Sequence, residues 1–164
     1  MKRLIGGVVL AGALAFGQGS APADPSGGLV KHAATIPYTG KPIMLMFDSS
    51  TCPYCKKIRK DLAENPTLHK EAVQFDLYNL PRDAPQPYTI LGNKTTLQSL
   101  VMLYKVKATP NLVLMTAHGE KIWQLPGYVK PEVLSVIMAF VRGVDAGTYQ
   151  KSEWKAYLRK HGII

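Results

Sequence analysis

Cys52-Pro53-Tyr54-Cys55 holds the only two cysteines of this 164-residue chain. Two thiols separated by two residues can cycle between a dithiol and a disulfide, and the thiolate is the species that attacks another disulfide. The pair follows an apolar run, Ile43-Met44-Leu45-Met46-Phe47, and precedes a basic, helix-like stretch from Lys56 to Leu62. A strand that passes through a short loop into a helix sets Cys52 at the helix N-terminus. There, unpaired N–H groups and the positive end of the dipole favour a thiolate. Two other readings are a structural disulfide and a metal site. A bridge across two residues restricts the unfolded chain little. Zinc would need two more ligands, and His32, His69, His118 and His161 are scattered, none at ligand spacing from another. No metal and no cofactor beyond the cysteine pair are expected, although two cysteines alone could carry Cu(I).

The compartment decides which of these chemistries has a use. Lys2 and Arg3 precede an apolar, Gly/Ala-rich stretch of 13 residues, Leu4 to Phe16, and Ala21-Pro22-Ala23 offers small residues for cleavage. This reads as an export signal over residues 1–23, with the mature chain starting near Asp24; the stretch is short for a membrane span. Export places the thiols in an oxidising compartment, the periplasm. The 141 residues that remain suffice for one domain with a core. They carry 18 basic against 11 acidic residues, a formal charge of +7 spread along the chain without an aromatic-basic stripe. Nucleic-acid binding is disfavoured, whereas acidic partners or a membrane surface suit the charge.

The elements that must position the cysteines follow from local pattern. Residues 24–40 read as a leader with a short helix over Leu29 to Ile36, and the main domain as 41–160. Ile43 to Phe47 has the continuous apolar character of a buried central strand. Pro53 suits a first helical turn, and that helix runs to about Glu64, where Asn65-Pro66 can start another. Val73 to Leu77 alternates as a strand does. Asn79 to Lys94 reads as a surface insertion with a hairpin near Gly92-Asn93, and Thr95-Thr96-Leu97-Gln98 as the start of a helix ending near Val106. Asn111 to Met115 and Lys121 to Leu125 are strands joined tightly enough to be antiparallel neighbours. Helices then follow from Pro131, with an apolar stripe, and from about Tyr149 to Lys160. The fold class is α/β, a central mixed sheet of about four to five strands flanked by helices.

That order, with Cys-x-x-Cys after the first main strand, resembles the thioredoxin superfamily and, within it, exported thioredoxin-like proteins of the SoxW kind. The matching residues are Phe47 and Asp48 before Cys52-Pro53-Tyr54-Cys55-Lys56, then Val106-Lys107-Ala108-Thr109-Pro110, then Gly119 and Leu125-Pro126-Gly127-Tyr128. The resemblance implies the thioredoxin fold with an extra C-terminal helix, and a cis Pro110 beside the cysteines. It leaves the backbone of Thr109 free to pair with an extended substrate. Cys52 is then the attacking thiol, its pKa lowered by the helix terminus and Lys56. Cys55, one turn deeper, resolves the mixed disulfide, and Pro53 and Tyr54 tune the thiolate. Lys56 reads equally as a solvated helix charge. Thioredoxins carry a buried Asp six residues before the first cysteine, where this chain has Met46. Asp48 is either a substitute proton acceptor or a surface or capping carboxylate near the loop.

The function expected is a periplasmic thiol:disulfide oxidoreductase, mainly a reductase of protein disulfides, with a membrane thiol transporter as electron donor and a monomeric state. A DsbA-like oxidant is the alternative direction, and a Cu(I)-binding module the alternative class.

Overall fold

The computed structural model describes residues 24–164; the export signal expected over residues 1–23 lies outside the described residues. The described residues form eight strands: β1 (Val30–Lys31), β2 (Thr35–Ile36), β3 (Ile43–Asp48), β4 (Asp76–Pro81), β5 (Pro87–Ile90), β6 (Asn93–Thr96), β7 (Asn111–Met115) and β8 (Lys121–Pro126). The helices are α1 (Pro53–Glu64), α2 (Pro66–Ala72), α3 (Leu97–Leu103), α4 (Pro131–Asp145) and α5 (Trp154–Lys160), the last preceded by a 3-10 turn over Lys151–Glu153.

Five strands form a mixed sheet in the order β1-β4-β3-β7-β8. β3 is its centre, parallel to β4 and antiparallel to β7. Its run of apolar residues is explained by burial on both faces. Alternation along a strand sends successive side chains to opposite sides. Met44 and Met46 join one core with Ile58 and Leu62 of α1 and Leu134, Ile137 and Phe140 of α4. Ile43, Leu45 and Phe47 join the other, with Ile36, Tyr88 and Leu97. Each such side chain contributes about 1.5–3 kcal/mol by leaving water, so a polar substitution in β3 breaks two packed layers at once.

α1 begins at Pro53, whose missing N–H costs nothing at the first helical position. Asn65 ends α1 and caps α2, its side chain accepting from Leu68 N at 3.0 Å. Thr96 likewise accepts from Ser99 N at the start of α3. Such caps are worth about 1 kcal/mol each.

The expected helix over Leu29 to Ile36 is absent. Two-residue strands stand in its place: β1 pairs in parallel with β4, and β2 with β5. Val30 and Ile36 are buried, in opposite cores, and Lys31 pairs with Asp76 at 2.7 Å. Distant partners therefore override a weak local preference. The next strand is also displaced. Val73 caps α2, and β4 runs from Asp76 to Pro81 instead of Val73 to Leu77. α3 stops at Leu103, short of Val106. The hairpin near Gly92-Asn93 is β5–β6, which with β2 makes a second, three-stranded sheet.

Candidate active site

Cys52 is the N-cap residue of α1 and Cys55 lies in its first turn. They form a disulfide with S–S 2.09 Å and Cα–Cα 5.3 Å. Cys52 Sγ also accepts from the backbone N–H of Cys55 at 3.1 Å. Such an N–H donor lowers the energy of negative charge on that sulfur once the pair is reduced. The first turn of α1 contains no acidic residue to oppose it. Cys52 is 6% exposed and Cys55 1%, so an incoming disulfide meets Cys52 first.

The loop carrying Cys52 is held from several sides. Cys52 N donates to Ser49 O at 3.1 Å, and Ser50 N donates to Asp83 Oδ2 at 2.7 Å. Two further loops converge on it. Phe47 of β3 lies opposite Asn111 of β7, which places Thr109 and Pro110 beside the end of β3, and the Thr109–Pro110 peptide is cis. Gly127 N donates to Pro110 O at 2.8 Å, tying in the loop after β8. Tyr128 of that loop faces the exposed ring of Tyr54 with centroids 5.8 Å apart. Its hydroxyl donates to Asp61 Oδ2 at 2.8 Å, and Lys57 Nζ lies 4.8 Å from its ring centre.

Behind Cys55 is a cavity of about 440 Å³, lined by Cys55, Lys56, Asp48, Arg59, Asn79 and His32 among others. Asp48 is 5% exposed and Asn79 3%. Asp48 pairs with Arg59 Nη2 through Oδ2, and Arg59 Nη1 lies 3.7 Å from Asp24 Oδ1. Asn79 Nδ2 is 3.3 Å from His32 Nδ1, within hydrogen-bond distance. Three buried atoms, Asp48 Oδ1, Arg59 Nε and Asn79 Oδ1, have no partner among the described residues. Burial raises the Asp48 carboxyl above the usual range. The Arg59 charge opposes that rise without cancelling it.

Of the residues singled out from sequence, Cys52, Cys55, Pro53 and Tyr54 thus occupy one helix terminus, with Lys56 and Asp48 lining the cavity behind it. Thr109 and Pro110 lie on the adjoining loop. Met46 is fully buried apolar core. Asp48 is neither a surface carboxylate nor a loop cap: its carboxyl is buried and paired with Arg59 of α1. Sequence reasoning missed Arg59, Asn79 and His32. The faint signals were a basic residue next to the inward Ile58 of α1 and an amide inside the buried strand β4.

A family model described as a thioredoxin-like domain matches residues 29–142. No curated protein matches the chain. Among solved structures, a thioredoxin-fold protein from Helicobacter pylori is 22% identical, with 86% of this chain and 98% of that one covered and a TM-score of 0.71. A thioredoxin-like protein from Clostridium perfringens is 18% identical, with 67% and 82% covered and a TM-score of 0.51. At these identities the likeness concerns the fold.

Proposed function

The chain belongs to the family of thioredoxin-like domains, and from that premise we propose that it is an exported thiol:disulfide oxidoreductase, run chiefly as a reductase in the periplasm and of the SoxW-like kind. A cysteine pair on this fold supports redox exchange in general terms. The observation that carries the proposal is Cys52 at the N-terminus of α1, its sulfur accepting from Cys55 N–H at 3.1 Å. The reducing direction is favoured because Asn79 to Lys94 supplies part of β4 and a small hairpin, not the inserted helical domain of a DsbA-like oxidant. The N-terminal pattern of Lys2-Arg3, apolar run and Ala21-Pro22-Ala23 supports export.

In the working cycle the Cys52 thiolate attacks one sulfur of a substrate disulfide and displaces the other as a thiolate, which takes up a proton. A mixed disulfide joins Cys52 to the substrate. Cys55 then gives up its proton and attacks Cys52 Sγ, releasing the second substrate thiol. Two electrons have passed to the substrate, and the Cys52–Cys55 disulfide remains. A membrane thiol transporter restores the dithiol by the reverse exchange. The chain acts as a monomer.

Asp48 is assigned as the acceptor of the Cys55 proton. It shares the cavity with Cys55, its Oδ1 is unpartnered, and its raised pKa brings it nearer to that of a thiol. The two unpartnered acceptors and one unpartnered donor around it are complementary to bridging water. Lys56 stabilises the thiolates from the cavity rim, and Pro53 and Tyr54 set the thiolate's surroundings. Thr109 offers its backbone to an extended substrate crossing Cys52, with Pro110 as the apolar floor.

The deciding measurement is the reduction potential of the pair, by equilibration with glutathione or dithiothreitol buffers. A value near thioredoxin's, about −270 mV, is expected for the reductase. A value near −120 mV would make the protein an oxidant and reverse the proposed direction.

A further inference from the structure

A second cavity, of about 490 Å³, opens beside the Thr109–Pro110 loop. Its walls include Leu103, Lys105, Lys107, Ala108, Lys121 and Pro126. Three lysines line it and no carboxylate does. Lys105, Lys107 and Lys121 are all exposed, as are the apolar side chains of Leu103 and of Met102 next to it. The nearby acidic side chains Asp83 and Glu120 are engaged elsewhere, with Ser50 and Lys151. The groove therefore presents cationic heads around a mainly apolar floor that also holds the Asn111 and Gln124 amides, and it reaches Ala108, next to Thr109.

Lys105 is the informative residue. α3 ends with Tyr104 as its C-cap, and Lys105 follows at φ +50°. Lys105 N donates to Met102 O at 3.1 Å and Val106 N to Val101 O at 2.9 Å. That pair of bonds is the Schellman closure, in which the left-handed position usually belongs to glycine. A Cβ disfavours this conformation, so a lysine here sacrifices local stability. Its side chain makes no hydrogen bond or ion pair among the described residues. Interaction with the C-terminal end of the α3 dipole is the structural reason for a cation there. It does not account for Lys107 on the same groove, whereas Lys121 Nζ lies 3.4 Å from Gln124 Oε1 and 5.9 Å from the centre of the Tyr104 ring.

We propose that this groove selects the substrate: it receives an extended, acidic segment flanking the substrate's target cysteine, with Lys105 and Lys107 as specificity residues. The inference rests on the proposed oxidoreductase function and deepens it. A strand crossing Cys52 and pairing with Thr109 carries its neighbouring residues over Ala108 toward Lys107 and Lys105. Side chains of Asp or Glu there meet the ammonium groups, while the apolar floor takes interleaved aliphatic residues. Each exposed pair is worth roughly two- to fivefold in affinity at low salt and less as salt is raised.

The test compares three disulfide-linked peptides of equal length whose cysteine is flanked by Glu, Gln or Lys. The values of kcat/KM are measured with the full protein at low and high salt. About a tenfold preference for the Glu peptide over the Gln peptide is expected, with the Lys peptide slowest and the spread collapsing at high salt. Lys105→Gly suits the backbone there, and Lys107→Gln alters an exposed side chain. Each should lower the Glu/Gln ratio severalfold, whereas Lys70→Gln on remote α2 should not change it. Equal rates on the three peptides, with exchange itself intact, overturn the groove and leave the oxidoreductase standing. A preference that survives in Lys105→Gly and Lys107→Gln together also overturns it. Failure to exchange with any disulfide, a small uncharged one included, overturns the functional reading and the groove with it.

Discussion

The two sulfurs of one disulfide look onto opposite surroundings. On the side of Cys52 the exposed ring of Tyr54 faces Tyr128, and the loop of Thr109 and Pro110 lies beside the end of β3. Behind, Cys55 faces a cavity with a part-buried ion pair and three unpartnered polar atoms. A packed interior normally leaves few such atoms unmatched. In the proposed function recognition belongs to the front and proton handling to the back, although only a turn of helix separates the two residues.

The sharpest way to break that division is to remove each sulfur in turn. Cys52→Ser should reduce disulfide exchange to the uncatalysed background, because the attacking thiolate is gone. Cys55→Ser should keep the attack and lose the release, so that mixed disulfides accumulate and can be counted by mass after non-reducing electrophoresis. Equal trapping by both variants would show that the cysteines are interchangeable and would abolish the distinction between front and back.

The next largest effect belongs to Asp48. If it takes the Cys55 proton, Asp48→Asn should slow release of the mixed disulfide by about 10²-fold at neutral pH, the low end of what a positioned base contributes. The wild-type release rate should rise as pH climbs through the Asp48 pKa, and the variant should lack that rise. Stability carries a separate signature. A carboxyl whose folded pKa lies above its unfolded value holds its proton more tightly when folded. Its stabilising effect is complete below the unfolded pKa and is lost as pH rises through the folded one. Stability relative to wild type should therefore be poorest for Asp48→Asn in acid and improve with rising pH across that window. The groups facing Asp48 are Arg59, Asn79 and His32. His32 lines the same cavity as Asp48, so Asp48→Asn should be read with and without His32→Gln. Unchanged release kinetics across pH would remove Asp48 from the cycle.

The front of the site was legible in the chain because it is local. A cysteine pair, a proline for the first helical turn and an apolar strand before it are neighbours in sequence. Their geometry follows from helix-terminus chemistry alone. The central position of β3 was equally readable, since five consecutive apolar residues admit burial on both faces. The back was not. Arg59 reaches Asp48 of β3 from α1, Asn79 comes from β4, and His32 lies just after β1, so the cavity exists only once four elements have been assembled. The mistaken helix over Leu29 to Ile36 has the same origin. β1 and β2 are two residues long and take their conformation from β4 and β5 rather than from their own side chains. Asp48 was visible as a candidate, but its burial was not, because its ion partner could not be named.

The smallest expected effect separates function from structure at Lys105. Left-handed backbone costs a residue with a Cβ about 1–2 kcal/mol. Replacing Lys105 by glycine relieves that cost, while the freer unfolded chain takes back about 0.5–1 kcal/mol. Loss of the cation at the end of α3 removes a further ~0.3 kcal/mol. The balance is about 0.5 kcal/mol in favour of the variant, a rise of about 1–2 °C in Tm for a domain of this size. Thermal unfolding by circular dichroism checks it. A fall equivalent to more than about 1 kcal/mol would show that the lysine holds the end of α3 in place, and its occupation of a glycine position would then need no substrate to explain it. A small gain, together with a weakened preference for acidic peptides, would mean that the chain retains a less stable residue at the edge of its recognition face for the charge that residue carries.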